Sequence, residues 1–231
     1  MIIVVPARGG SKRLPRKNIH PLKGKPLLAY TLEAIAATGL IIPTYVSTDD
    51  ELIADVARAY PGVEVLMRPD EIASDSASTE SVLLHVLDVL AGRGETSEWV
   101  MTLPPTSPFR TANTILDFLK EATICASEID CIMSVTENRG DFWRMLDSGR
   151  MQRLFTDAPR RQQDRPPLFE ENSAVYVTRT EALRATESIL GRAVRGISVP
   201  SIEGFDVNNP EDMHLAECLY DTQYRQTKIV L

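Results

Sequence analysis

Short strand-like runs alternate with segments of helical period along most of this chain, and that rhythm admits few folds. The runs Ile2–Val5, Thr44–Ser47, Val63–Leu66, Trp99–Leu103, Ile132–Val135, Ala174–Val177 and Val194–Val199 read as strands. Between them, apolar residues recur at helical spacing: Leu27, Leu28, Leu32 and Ile35 between Pro26 and Gly39, Ile53, Val56 and Ala57 after a cap at Asp49 or Asp50, and Val82, Leu83, Val86, Leu87 and Leu90 from Thr79. Further helices are expected from Thr111 and from about Pro210. This alternation predicts an α/β fold with a mostly parallel central sheet and helices on both faces.

The rhythm fails over about 137–170. That stretch is rich in Arg, Asp, Gln and Pro, carries Phe142, Trp143, Phe155 and Phe169, and is too long for an ordinary loop. It reads as an arm inserted into one domain spanning 1–231, and an interface would explain its aromatics and arginines. A homodimer with Trp143 in the interface is expected. The net charge of −7 argues against a sequence-independent nucleic-acid binder, which needs a basic face. Ile2–Val5 is too short for a signal peptide or membrane span. Three cysteines, Cys125, Cys131 and Cys218, form no CxxC pair and read as free thiols. A cytoplasmic protein without membrane association follows as the expectation.

Chemistry begins in the segment Pro6–Asn18, directly after the first strand. Gly9 and Gly10 allow close backbone approach and present N–H groups to an anion, and Ser11 adds a hydroxyl. Arg8, Lys12, Arg13, Arg16 and Lys17 place five cations within ten residues. Ligands of open α/β sheets bind at the carboxyl ends of the strands, so this cluster suits a triphosphate. The alternative is a solvated basic loop. Neither the GxxxxGK[ST] nor the GxGxxG spacing is present.

The segment Pro6–Asn18, read as PARGGSKRLPRKN, resembles the signature of the acylneuraminate cytidylyltransferases, which make CMP-sialic acid and its bacterial relatives. The resemblance continues in order through Gly24-Lys25-Pro26, Val46–Asp49, Arg68-Pro69, Ala73-Ser74-Asp75, Pro105–Pro108, Asn172–Tyr176 and Asp206–Asp212. It implies a Rossmann-like nucleotidyltransferase fold with a dimerisation arm, CTP and an acidic nine-carbon keto-sugar as substrates, and Mg2+ as cofactor. Ala7, Arg8, Gly9, Gly10, Ser11 and Lys17 would then hold the triphosphate, with Arg8 and Lys17 stabilising charge at the α-phosphate. Asn18 would contact the ribose. Arg68 with Ala77, Ser78 and Thr79 would read the pyrimidine, although Ser78 and Thr79 also suit a helix cap and Arg68 a polar strand end. Thr106, Ser107, Arg160, Arg161, Gln163, Asn172 and Tyr176 resemble positions facing the acceptor sugar.

Two departures bear on chemistry. The family's Asp-x-Asp metal motif reads Asp206–Asn208 here, so Asp206 carries the charge and Asn208 offers only an amide. Glu211 and Asp212 read better as caps of the last helix. Pro104 stands where the family typically has Gln, removing a side-chain amide and favouring an acceptor other than N-acetylneuraminate. His20, His85 and His214 show no dyad spacing, so no histidine base is assigned. Alternative readings are a related nucleotidyltransferase for pseudaminic acid or an eight-carbon keto-acid sugar, and a non-catalytic nucleotide or sugar sensor.

Overall fold

The computed structural model describes residues 1–73 and 77–229, the side chains of 223–229 excepted. β1 (Ile2–Pro6) runs into the basic loop, which ends in a small antiparallel pair, β2 (Pro21–Leu22) and β3 (Lys25–Pro26). Then follow α1 (Leu27–Ala36), β4 (Thr44–Thr48), α2 (Glu51–Arg58), β5 (Val63–Met67), α3 (Thr79–Gly92), β6 (Trp99–Thr102), α4 (Ala112–Ile124) and β7 (Cys131–Asn138). A two-stranded hairpin, β8 (Trp143–Met145) and β9 (Met151–Arg153), precedes β10 (Leu168–Arg179), α5 (Thr180–Thr186), β11 (Val194–Ser198) and α6 (Pro210–Ile229). Among the described residues no helix is long and apolar enough to cross a membrane.

Seven strands form the main sheet in the order β11-β7-β10-β6-β1-β4-β5. All pairings are parallel except those of β10, which is antiparallel to both β6 and β7. β10 runs against the rest because the chain turns straight back from β7 with no crossover helix, and such a return pairs antiparallel. β10 is also longer than the apolar run Ala174–Val177 announces. Its first part, Leu168–Glu171, pairs with Val135–Asn138 at the root of the arm, where Phe169, Glu170 and Glu171 are all exposed, so both faces are open to water and glutamates are tolerated. The strand ends thus take over both margins of the expected 137–170 segment.

Alternation along the strands divides the core. Ile3, Val5, Val46, Met101 and Val177 pack on α1, α2 and α4 through Leu28, Leu32, Ile53, Ile115 and Phe118. Ile2, Val4, Tyr45, Val100 and Tyr176 face the opposite side, against Leu83, Val86, Leu87 and Leu90 of α3 and Leu183 of α5. Helices therefore cover both faces. A third cluster, Leu14, Leu22, Leu27, Phe109, Val207, Met213 and Ala216, lies under the basic loop and joins it to α6.

Capping moves two expected helix starts by one residue and decides a third cap. Pro26 and Thr111 are the N-caps of α1 and α4 rather than their first residues, whereas Thr79 opens α3 as expected, with Ser78 as its N-cap. Asp50 caps α2 by accepting from the N–H groups of Leu52 at 2.7 Å and Ile53 at 3.3 Å. Asp49 is turned to a different task, described below. At α6, the Asp212 carboxylate accepts from the amides of Asn208 at 2.8 Å and Asn209 at 3.1 Å, while Asn209 accepts from Asp212 N–H. That reciprocal box is the capping role expected of Asp212.

Candidate active site

The chain builds β1, β4 and β5 in one direction across the sheet, then returns to place β6 on the other side of β1. The loops leaving β1 and β6 therefore diverge, and a crevice opens between them at the carboxyl ends of the strands. A cleft of about 290 Å³ fills it, lined by Pro6, Arg8, Lys17, Asn18, Arg68, Ala77, Ser78, Thr79, Val82, Pro104, Pro105 and Thr106. A second cleft of about 310 Å³ adjoins it and shares Arg8, Lys17 and Asn18, adding Gly10, Ser11, Lys12 and Arg13. The first volume thus sets aliphatic and hydroxyl groups beside Arg8, Lys17 and Arg68, and the second is lined mostly by cations and loop backbone.

The basic loop is held rather than free. Ala7 is fully buried, and its N–H bonds to the Ser47 carbonyl at 2.9 Å. Asp49 accepts from Gly9 N–H at 2.8 Å, so that amide anchors the loop and is not available as an anion donor. Gly9 is required for contact, because a Cβ there would sit 2.7 Å from both Cβ and Oδ2 of Asp50. Asn18 is buried and donates to the Arg8 carbonyl at 2.8 Å, closing the loop on itself. Leu14 is buried beneath, and Arg16 takes a left-handed conformation (φ 52°) as the chain turns into the short helical turn that carries Lys17. Such a backbone in a non-glycine residue costs on the order of 1 kcal/mol and persists only where its surroundings fix it.

Lys17 reaches the carboxylate loop. Its Nζ donates to Asn208 Oδ1 at 3.1 Å, and Arg13 Nη2 approaches the same oxygen at 3.4 Å. Asn208 Nδ2 donates in turn to Asp206 Oδ2 at 2.5 Å. The second oxygen, Asp206 Oδ1, is buried with no hydrogen-bond partner among the described residues. The Lys17 pKa is lowered, first by burial, which outweighs the raising effect of Asp206; Arg13 and Arg8 lower it further and Asp212 opposes them. Asn208 therefore links lysine to carboxylate without adding charge.

Arg68 stands on the other side. Its Nε donates to Ser47 Oγ at 3.1 Å and its Nη2 to the Ser47 carbonyl at 2.9 Å. Burial brings its pKa down to about 10, with Asp49 opposing and Arg8 reinforcing, so it remains a cation at neutral pH. Ser78 caps α3 by accepting from Ser81 N–H at 3.1 Å, which turns the positive end of a 14-residue helix into the cleft. Capping and lining the cleft are here the same placement. Ser74 and Asp75 of the quoted motif lie outside the described residues.

The residues expected at the sugar are dispersed. Thr106 lines the cleft, and its carbonyl accepts from Val207 N–H at 2.8 Å, tying this wall to the Asp206 loop. Ser107 lies below it, buried, with an unpartnered Oγ. Asn172 is consumed at an irregularity in β10: it accepts from Ser134 Oγ at 2.6 Å and Ala174 N–H at 3.2 Å and donates to Thr136 Oγ1 at 2.9 Å. Tyr176 donates its hydroxyl to Glu171, and burial followed by that carboxylate pushes its pKa up. Arg160, Arg161 and Gln163 are exposed on the arm, away from both clefts. There Asp141 gathers Arg153 at 2.8 Å, Arg160 at 3.3 Å and Arg165 at 3.4 Å, and Arg153 foremost holds its carboxyl below the usual range.

Three contributions differ from the sequence reading: Asp49, read as a cap, fixes Gly9; Arg13, counted only among the loop's cations, shares Asn208; and Val82, read as core, lines the cleft from α3. Adjacency of β4 to β1 would have pointed to Asp49, since parallel neighbours bring their carboxyl-end residues together.

Known proteins resemble this chain in sequence and in fold. The cytidylyltransferase family model matches residues 2–120. Over 229 residues the chain is 29% identical to an N-acylneuraminate cytidylyltransferase of Escherichia coli O18:K1:H7, covering 98% of this chain but 53% of that protein, so the chain spans about half its length. It is 28% identical to a CMP-N,N'-diacetyllegionaminic acid synthase of Legionella pneumophila, covering 96% of each. It is 26% identical to a pseudaminic acid cytidylyltransferase of Campylobacter jejuni, covering 96% of this chain and 97% of that one. Among solved structures, a CMP:2-keto-3-deoxy-manno-octonic acid synthetase complexed with CTP has the same fold at a TM-score of 0.66 and 17% identity, over 96% of this chain and 98% of that one. So does a 4-diphosphocytidyl-2C-methyl-D-erythritol synthase from Anaerococcus prevotii, at 0.67 and 12%, over 95% and 98%.

Proposed function

Since the chain belongs to the cytidylyltransferase family, we propose that it transfers CMP from CTP to the anomeric hydroxyl of an acidic nine-carbon keto-sugar and releases pyrophosphate. One observation carries this reading. Arg8, Lys17, Asn18, Arg68, Ala77, Ser78, Thr79 and Thr106, drawn from the three connections that follow β1, β5 and β6, line one cleft at the crevice of the sheet. The relatives named for acylneuraminate, legionaminic and pseudaminic acids support the acceptor class.

The sugar hydroxyl oxygen attacks the α-phosphorus and yields its proton to a phosphate oxygen or to water, the bond to the α–β bridging oxygen breaks, and pyrophosphate departs. The triphosphate lies along the cationic cleft, and the base occupies the cleft walled by Arg68 and the α3 N-terminus. Arg8 and Lys17, at the junction of the two, face the α-phosphate and offset the charge that spreads over its oxygens as it is attacked. Asp206 fits Mg2+ through its unpartnered Oδ1, since that ion commonly takes one or two carboxylates together with phosphate oxygens. Bound there, magnesium would supply charge neutralisation across the triphosphate. Asn208 spends its amide oxygen on Lys17 and its N–H on Asp206, and so orients both. No histidine lines the cleft.

The test is pyrophosphate release from CTP and magnesium with neuraminic, legionaminic, pseudaminic and eight-carbon keto-acid sugars in parallel. Release with a nine-carbon acid is the expected result. CTP binding with no release from any acceptor would favour the sensor reading instead.

A cytoplasmic homodimer is part of the same proposal. Met145 is 70% exposed and Phe169 56% exposed, with Trp143, Met151 and Phe155 also open on the arm, an apolar set suited to burial against a second copy. Arg160, Arg161 and Gln163 would then reach acceptor sugar in the partner's cleft. Sedimentation at micromolar concentration should give a dimer, and the double substitution Trp143→Glu with Phe155→Glu a monomer. A wild-type monomer would remove the arm from the site.

A further inference from the structure

Directly behind the cleft wall lies a cation that the proposed chemistry does not use. Arg110 is 3% exposed. Its Nη1 donates to the carbonyl of Ala174, and its Nη2 donates to Thr31 Oγ1 at 2.7 Å and to the Pro104 carbonyl at 3.1 Å. Nε has no partner among the described residues. None of these acceptors is a carboxylate. Burial draws its pKa down to about 9, only partly offset by Glu203, and it stays charged at neutral pH.

Stability alone gives no reason for this residue. A buried charge is expensive to desolvate, and an apolar side chain of similar volume in such a place is often neutral or stabilising. The three acceptors explain it better, because they belong to three different segments. Thr31 lies on α1, which follows the basic loop. Ala174 follows Asn172 at the irregularity in β10. Pro104 opens the turn that forms one wall of the cleft. A planar fork bonds three such points from two separate nitrogens, whereas a lysine's three donors leave from one nitrogen and an apolar residue has none.

The same turn is joined to the carboxylate loop on its other side. Val207 donates to the Thr106 carbonyl, and the buried Glu203 accepts from Thr111 N–H at 2.9 Å and Thr114 Oγ1 at 2.5 Å at the head of α4. Displacing the turn would therefore displace Asp206 with it.

We propose that Arg110 is a positioning residue for the transfer reaction, its buried guanidinium fixing the Pro104–Thr106 wall against α1 and β10 and, through Thr106, the placement of Asp206. This rests on the cytidylyltransferase reading above. It holds the Pro104–Thr106 wall and, through it, Asp206, so the acceptor constants and the magnesium dependence of CTP binding should respond, while CTP binding without magnesium should hold.

The test compares Arg110→Met, Arg110→Lys and Thr31→Val with wild type, the last removing one acceptor while keeping the arginine. In Arg110→Met, kcat/KM for the acceptor should fall about a hundredfold, the scale of a 1 Å misplacement. Amide exchange over 103–111 and 203–208 should accelerate about tenfold, while the rest of the sheet stays protected. CTP Kd measured without magnesium should hold. Arg110→Lys should recover part of the loss, and Thr31→Val should move the same constants in the same direction by less. Wild-type kinetics in Arg110→Met would overturn the proposal. So would faster exchange spread evenly over the sheet with no kinetic change in Thr31→Val, which is what a merely structural arginine would give. If Arg110→Met does not fold, the other two variants decide. If wild type binds CTP and releases no pyrophosphate, the transferase reading falls, and local against uniform exchange still decides whether Arg110 holds the wall.

Discussion

Replacing Lys17 by Ala should lower kcat by about 10²–10³-fold, the usual cost of removing one fixed donor aimed at charge that develops in the transition state. Lys17 is half-buried at the junction of the two clefts and held by Asn208 at 3.1 Å, so its ammonium is placed before substrate arrives. CTP affinity should fall less than kcat, because Arg8, Lys12 and Arg13 still attract the triphosphate. A variant with weakened CTP binding and an unchanged kcat would make Lys17 a ground-state anchor only. The pH profile offers a second reading of the same residue. A lysine is charged below its pKa, and burial lowers this one from 10.5. As pH rises, kcat/KM should therefore begin to fall earlier than an ordinary lysine would dictate. Lys17→Arg should remove that limb, since a guanidinium does not lose its proton in this range.

Replacing Asp206 by Ala should cost more than about 100-fold in activity, given that even the outer partners of metal ligands are worth 10–100-fold. The carboxylate has one oxygen bonded to Asn208 and one buried without a partner, an arrangement that exacts desolvation unless a cation meets it. A readout apart from turnover is the magnesium or manganese dependence of CTP binding, which should be strong in wild type and nearly flat in Asp206→Ala. Asn208→Asp is the complementary change. It adds a carboxylate beside Lys17 and Asp206 and should lower the magnesium concentration at half-saturation. Magnesium dependence in Asp206→Ala identical to wild type would place the metal on the triphosphate alone.

Much of the site was legible in order along the chain because each part sits at the end of a strand. Arg8 and Lys17 follow β1, Arg68 follows β5, Thr106 follows β6, and Ser78 caps α3, so period and capping chemistry alone put them near one sheet edge. Asn172 and Tyr176 show the opposite case. Both fit an acceptor-facing motif as residue types, yet Asn172 is spent on Ser134, Thr136 and Ala174, and Tyr176 on Glu171. Hydroxyls and amides serve bulges as readily as ligands, and only the partner atoms distinguish the two.

The sequence by itself determined the α/β layering, the helix caps to within a residue, the cationic loop after the first strand and the break in rhythm that marks the arm. These are local properties, written in periods of two and 3.6 residues and in side chains that bond to their own backbone. Only the tertiary structure decided that β10 runs antiparallel, that Asp49 holds Gly9 while Asp50 caps, that Asn208 bridges Lys17 to Asp206, and that Arg110 ties the cleft wall to α1 and β10. The Lys17–Asn208 bond spans 191 positions, Arg110–Thr31 79 and Gly9–Asp49 40, far beyond one turn of helix or one strand. Such pairings depend on which strands become neighbours, and sheet order is a property of the whole fold.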